Sequence, residues 1–245
     1  MSLFKPFKSD FYKEKSVLTA KDIVEWKRKN NLYNFDTLPK VAIISAVYEL
    51  SLPKRLLYKK LKGLNGKNFI VNKKVLFCAG FGAGSPAIIA LLEELVALGV
   101  AKFLYIGFAG RLNANLIEGD SYIVSNAFSI CGTSFFYNNN SFISYPNSLS
   151  DKIKRELGLS EKIVLSTDAP YKETSSILDF YKKENAALID METASILAFF
   201  NQNKKEVACI LIASDLLDFN WMPPKNIDLT RKVAKNIVNQ FIASL

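Results

Sequence analysis

Residues 75–110 read VLFCAGFGAGSPAIIALLEELVALGVAKFLYIGFAG, and the fold class follows from this stretch. A short apolar run ends at Ala79 and gives way to GFGAGSP, residues 80–86. A helix pattern follows and is closed by Gly99, a residue suited to ending a helix. Pro86 fits near the helix start, because the donor it lacks would have no partner there. A second apolar run, residues 101–110, ends in another glycine turn. Strand, glycine turn, helix, strand is the repeating unit of an α/β fold. A glycine-rich turn at a helix N-terminus is also a place where phosphate can sit. The question is whether this turn holds a phosphate, a nucleoside or nothing.

The same alternation extends in both directions. KVAIISAV (40–47) reads as a buried strand, PKRLLYKKLKG (53–63) as a weak amphipathic helix, and NFIVNKKVLFCAG (68–80) as a hairpin turning at NKK. Downstream, strands are expected in GDSYIVSNAFSI, KIVLSTDAP, the start of ALIDMETASILAFFNQN and VACILIASDLLDF. Helices are expected in LSDKIKRELGL, SILDFYKKENA, the rest of the ALIDMETAS segment and DLTRKVAKNIVNQFIASL. The fold class is α/β: one domain with a twisted, mixed, largely parallel sheet flanked by helices, covering residues 39–245. Residues 1–38 read as an N-terminal extension. It carries one short helix, TAKDIVEWKRKNN, with Thr19 as N-cap and Ile23, Val24 and Trp26 on one side.

Composition narrows the chemistry. The chain has no histidine, which removes the commonest general base, the Ser-His-Asp triad and most zinc sites. Cys78, Cys131 and Cys209 lie in apolar strand contexts and read as buried free thiols. Residues 1–74 carry 17 Lys and Arg against 6 Asp and Glu; the remainder carry 15 against 17. The lysines of the basic third are scattered, without aromatic interleaving, so a solvated face is expected rather than a nucleic-acid surface. Glu93, Glu94 and Lys102 interrupt the most apolar region, so no membrane span is expected. The charged N-terminus lacks a signal-peptide core, and the expected location is the cytoplasm.

In such folds the functional polar groups lie beyond the C-terminal ends of strands. Five places qualify: GFGAGSP, GFAGRL, STDAP, ASDLLD and the loop in IDMETAS. Taken by their own residues, each has a plain structural reading. Asp215 could cap a helix after its strand, the acidic pair Asp190 and Glu192 could favour a helix dipole, and the glycines could form a tight turn.

Together and in order, these segments resemble the purine and uridine phosphorylase superfamily of nucleoside phosphorylases. The resemblance is carried by the G-x-G-x-G-x-P turn of residues 80–86, the helix with EEL and LG, the glycine turn after the next strand, and the Gly119-Asp120 pair. IDMETASILAF matches the family's V-E/D-M-E-x-A segment, and LIASDLLD its S-D strand end. The resemblance runs from about Val41 to Leu245. It implies cleavage of the N-glycosidic bond of a nucleoside by a homo-oligomer that needs neither metal nor organic cofactor. Asp215 then protonates or hydrogen-bonds N7 of a purine. Glu192 accepts hydrogen bonds from the ribose hydroxyls, and Met191 packs on the sugar. The remaining substrate contacts fall to Gly82, Phe108, Ser214, Pro170 and Tyr171.

The sequence departs from the phosphorylase pattern where phosphate should bind. Tyr105 stands in the place of an arginine and Phe108 in the place of a hydroxyl residue. Ser51 falls about where a second arginine belongs; Arg111, Lys54 or Arg55 would have to compensate. The related nucleosidases, which use water, carry a glutamate at the position of Glu49. That residue would orient the attacking water, or be an ordinary surface charge. The Gln-x-Arg mark of uracil specificity is absent, so a purine-type base is expected. Three readings remain: hydrolysis of a purine-type nucleoside, phosphorolysis with a rebuilt phosphate site, and nucleoside binding without chemistry.

Overall fold

The computed structural model describes residues 14–47, 58–218 and 220–245. Glu49, Ser51, Lys54 and Arg55 lie outside the described residues, so the roles read for them have no structural account. Among the described residues the central strands are β1 (Val41–Ser45), β4 (Val75–Ala79), β5 (Lys102–Arg111) and β10 (Glu206–Leu217). Around them lie β2 (Tyr58–Leu61), β3 (Lys67–Val71), β6 (Ser121–Ile130), β7 (Phe142–Ser144), β8 (Ser160–Thr167), β9 (Ala186–Asp190) and β11 (Trp221–Met222). The helices are α1 (Ala20–Lys29), α2 (Ser85–Ala97), α3 (Gly132–Phe135), α4 (Ser148–Leu157), α5 (Ser175–Lys183), α6 (Thr193–Asn203) and α7 (Ile227–Ala243).

The strands form one mixed sheet in the order β11-β10-β6-β8-β9-β5-β1-β4-β3-β2, with β7 on β6 and a further pairing of β10 with β5. The pairings β4–β1–β5–β10 and β6–β8–β9 are parallel. The joins and edges, β9–β5, β10–β6, β10–β11, β6–β7, β3–β4 and β2–β3, are antiparallel, so antiparallel pairings slightly outnumber parallel ones. Because β10 pairs with both β5 and β6, the strands β5-β10-β6-β8-β9 close into a ring. Apolar side chains alternate along β5: Phe103, Tyr105 and Ala109 pack under α2 and α6, while Leu104, Ile106 and Phe108 pack with α4 and α7.

One detail of register positions the site. On one side, β5 pairs with β1 over residues 102–106 and with β9 only at Gly110 and Arg111. Among the described residues, Gly107, Phe108 and Ala109 have no strand neighbour there, so the sheet forks. The glycine turn expected at the end of this run is therefore strand, continued by pairing with β10 through Ala109.

Elsewhere the sequence signals resolve locally. Thr19 and Asp22 form a reciprocal capping box at α1. Val24 is buried but Trp26 is 56% exposed, so Trp26 leaves the expected apolar stripe. Lys27 on α1 bonds Glu94 on α2 at 2.6 Å. The NKK hairpin turns as expected, with Asn72 and Lys73 both left-handed and the Lys74 N–H donating to the Val71 carbonyl. The expected helix at 53–63 is corrected over its described part. Residues 58–61 are strand β2, because Leu61 is buried and Tyr58 meets Phe69 edge-on across the β3 pairing. All three cysteines are free and buried. No helix among the described residues is long and apolar enough to cross a membrane.

Candidate active site

The GFGAGSP turn joins β4 to α2. Gly80, Gly82 and Gly84 all take left-handed φ values, 62°, 111° and 85°, which side chains rarely tolerate. Asn65 ties the turn down by donating to the Phe81 carbonyl at 2.9 Å. Gly84 is the N-cap of α2 and offers it no side-chain cap. Its N–H instead donates to Glu192 Oε1 at 2.6 Å. The anion received at this helix N-terminus is thus the chain's own carboxylate.

Glu192 reaches the turn because its neighbour performs the local duty. Asp190, at the end of β9, accepts from the Thr193 N–H at 3.0 Å and from the hydroxyls of Thr193 and Ser166. Asp190 therefore caps α6, while Glu192, in the N-cap position, makes no side-chain cap bond. Glu192 Oε2 accepts from the Tyr105 hydroxyl at 3.4 Å and from the Met191 N–H at 3.3 Å. Burial, then the Asp190 charge, push the Glu192 carboxyl up to about 7. Burial also raises Asp190 and holds the Tyr105 phenol well above its ordinary range. Ser85 Oγ donates to the Met191 carbonyl at 2.8 Å, and the Met191 methyl lies 3.7 Å from where a Cβ on Gly84 would be. Met191 and Glu192 are thus brought to the glycine turn together. Gly82 is exposed on that turn and bonds neither of them.

A second cluster forms around Asp215. The residue sits where the β10 register slips between Ala213 and Leu216, and a strand, not a helix, follows it. The helix-cap reading of Asp215 therefore falls away. Ser214 Oγ donates to Asp215 Oδ1 and the Trp221 indole N–H to Oδ2, both at 2.7 Å. Arg111 donates through Nε to the carbonyls of Ser214 and Asp215, and through a terminal nitrogen to Leu116. It braces the strand end instead of facing outward as an anion fork. Glu173 lies close enough to feel Asp215: burial, then that charge, push its carboxyl up to about 7.

Both clusters border β5, from opposite faces of the strand. Asp215 Oδ1 lies 3.5 Å from where a Cβ on Gly110 would stand, and the Tyr105 hydroxyl 2.6 Å from the same position on Gly107. Along the strand, Gly107 and Gly110 are three residues, about 10 Å, apart, an odd spacing that turns their Cβ directions to opposite faces. Phe108 is not brought in. It points to the face of the sheet opposite Tyr105 and packs with the α4 and α7 core. Pro170 and Tyr171 form an exposed 3-10 turn; Tyr171 is 99% exposed. Of that segment it is Glu173 that approaches Asp215. Sequence reading missed Glu173 and Trp221, whose links to Asp215 depend on chain segments folding back. A hollow of about 560 Å³ opens beyond the β5–β9 pairing, between Asn113, Asn126, Lys162 and Lys182. Neither carboxylate cluster lines it, and converging donors and acceptors locate chemistry better than volume does.

A family model described as the Phosphorylase superfamily matches residues 47–243. A guanosine phosphorylase of Halorubrum lacusprofundi is 30% identical over 123 residues, 48% of this chain and 51% of the relative. The chain thus matches about half the length of that relative. The crystal structure of purine nucleoside phosphorylase from Toxoplasma gondii, in complex with immucillin-H, superposes with a TM-score of 0.64. That match covers 82% of this chain and 89% of the other at 19% identity, a likeness of fold.

Proposed function

The chain belongs to the phosphorylase superfamily, and we propose that it cleaves the N-glycosidic bond of a purine-type nucleoside with water as the acceptor. The observation that carries this reading is Glu192. It is a buried carboxylate held by the Gly84 N–H and the Tyr105 hydroxyl, next to a second buried carboxylate, and no ion pair reaches it among the described residues. Such a group accepts hydrogen bonds from vicinal sugar hydroxyls well. It also favours the positive charge that develops on the ribose as the bond breaks. A dianionic phosphate entering beside it would meet negative charge, and among the described residues Arg111 is engaged with backbone carbonyls instead of facing it.

In this reading the ribose lies at the fork against Met191 and Glu192, and the base extends toward Asp215 and Ser214. Asp215 hydrogen-bonds or protonates the departing base, with Glu173 beside it, its carboxyl raised by burial and by the Asp215 charge. The electron pair of the C1′–N bond leaves with the base, the water oxygen forms the new bond to C1′, and the water gives up one proton to solvent as the base takes one up. Glu49 is the group assigned to orient that water. The reaction so written uses no metal or organic cofactor. Residues 39–245 form the catalytic unit, residues 1–38 extend it, and the enzyme works in the cytoplasm.

Phosphorolysis is favoured by one specific observation, the name of the 30% identical relative. The deciding experiment is base release from inosine, guanosine, adenosine and methylthioadenosine, with and without phosphate, for wild type and Asp215→Asn. Release without phosphate, lost in the variant, is expected. Release that requires phosphate would assign the chain to phosphorolysis. Nucleoside binding with no release would make it a binding protein. We also propose a homo-oligomer, supported by Ile117, Trp221, Met222, Ile227 and Leu229, large apolar side chains exposed near the Asp215 end of the sheet. Light scattering that returns one chain mass of 27.5 kDa would reject it.

A further inference from the structure

We propose that Tyr105 is the positioning residue of the Glu192 carboxylate, and that position 107 is glycine in order to admit it. The ligand of that carboxylate rests on the nucleoside reading above; the geometry does not.

Tyr105 is among the largest fully buried side chains of the protein. A phenylalanine would fill the same core at less cost, because a buried hydroxyl is unfavourable unless it is bonded. The hydroxyl's partner is Glu192 Oε2. Tyr105 and Gly107 lie on the same face of β5, two residues apart. The tyrosine ring folds forward over the glycine: a Cβ at Gly107 would stand 2.6 Å from the hydroxyl oxygen and 3.0 Å from Cζ. A glycine inside a central strand weakens it, and such a position often marks a close approach. Two separate costs, a buried hydroxyl and a strand glycine, therefore have a single outcome, an O–H donor beneath Glu192.

That donor completes a clamp. Gly84 holds Oε1 from the α2 terminus, and Tyr105 holds Oε2 from β5. Donors from two different elements fix the plane of the carboxyl against the fork. The Tyr105 bond is long, as such contacts often are before a ligand tightens them.

The charge balance points the same way. Among the described residues the groups facing Glu192 are Asp190 from the end of β9, Tyr105 from β5, the Gly84 N–H at the start of α2 and the Met191 N–H. Behind them, Cys209 of β10 lies near Tyr105 and Asp190. Cys131, at the start of α3, lies near Ser85, Asp168 and Asp190. None of these is a cation. Hydrogen bonds are thus what favours the ionised carboxyl against burial and Asp190, and Tyr105 supplies the side-chain one.

The test compares wild type with Tyr105→Phe, which keeps the ring and removes the donor. The Glu192 carboxyl titration is followed by carbon-13 NMR and assigned with Glu192→Gln. Inosine binding is measured at pH 7.5, and thermal melting checks the fold. In Tyr105→Phe the titration should move to higher pH and the inosine Kd should rise about tenfold, the loss of one bond to a charged group. Gly107→Ala, which displaces the hydroxyl without removing it, should shift both in the same direction. An unchanged Glu192 titration in a folded Tyr105→Phe protein overturns the proposal, since packing alone would leave it there. A shifted titration in a protein that binds no inosine upholds the clamp and counts against the nucleoside reading instead.

Discussion

The Glu192 and Asp215 clusters stand about three strand residues apart on β5, yet they are built in opposite ways. Glu192 is 7% exposed and held by groups from α2, β5 and its own loop. Asp215 is half-buried at the sheet rim, and one of its two side-chain donors comes from Trp221, itself 64% exposed. A buried, multiply bonded carboxylate is fixed in place but is costly to ionise. A carboxylate at the rim stays in touch with solvent and can exchange protons with it, at the expense of a looser hold. The contrast suits an anchor in the interior and a proton-handling group at the edge.

Three variants sharpen or break this contrast. The largest effect is expected for Asp215→Asn, which should lower kcat by about 10²–10⁴-fold with little change in KM or melting temperature. A loss confined to KM would make Asp215 a binding group and dissolve the division of labour. Next, Glu192→Gln should raise KM by about 10–100-fold, the loss of hydrogen bonds to a charged group.

The same variant should change stability in the opposite sense. The folded-state carboxyl of Glu192 is raised from 4.5 to about 7, so the folded protein binds the proton more tightly than the unfolded chain does. Its contribution is fully present below pH 4.5 and is lost as pH rises through about 7. Glu192→Gln removes this loss, so its stability advantage over the wild type should grow as pH rises from 4.5 and be complete above about 7. Urea titrations at pH 5 and pH 8 measure it, and equal pH dependence in both proteins would mean that Glu192 is not strained by burial. The smallest effect is expected for Trp221→Phe. Losing one neutral donor to Asp215 should lower kcat by about three- to tenfold while nucleoside affinity stays within about twofold. A drop as large as that of Asp215→Asn would show that the rim cluster is as tightly specified as the interior one.

Much of this is legible in the residues. The GFGAGSP turn, the METAS helix start and the SD strand end each read as strand-end polar sites, because hydrophobic periodicity and glycine placement are local signals. The duties within METAS are not legible. Asp190 and Glu192 are both acidic and both at a helix start, and only the Ser166 and Thr193 bonds to Asp190 leave Glu192 free to turn to Gly84. Phe108 reads as a site residue by its position after Gly107, but strand alternation carries it to the other face. Residues 58–61 read as helical by spacing, but pairing with β3 makes them strand, since propensity is weak where tertiary partners are available.

Taken alone, the residues establish an α/β chain without histidine, with a glycine turn opening a helix and three acidic candidates at strand ends. What the glycine turn holds is settled only on folding. A turn at a helix N-terminus attracts an anion whatever its source, and composition cannot say whether that anion comes from solution or from a distant part of the chain. Here it comes from Glu192, 108 residues away along the sequence. The fork in the sheet beside Gly107 and the two hydrogen bonds that converge there bring the carboxylate to the turn, and neither exists until the strands have paired.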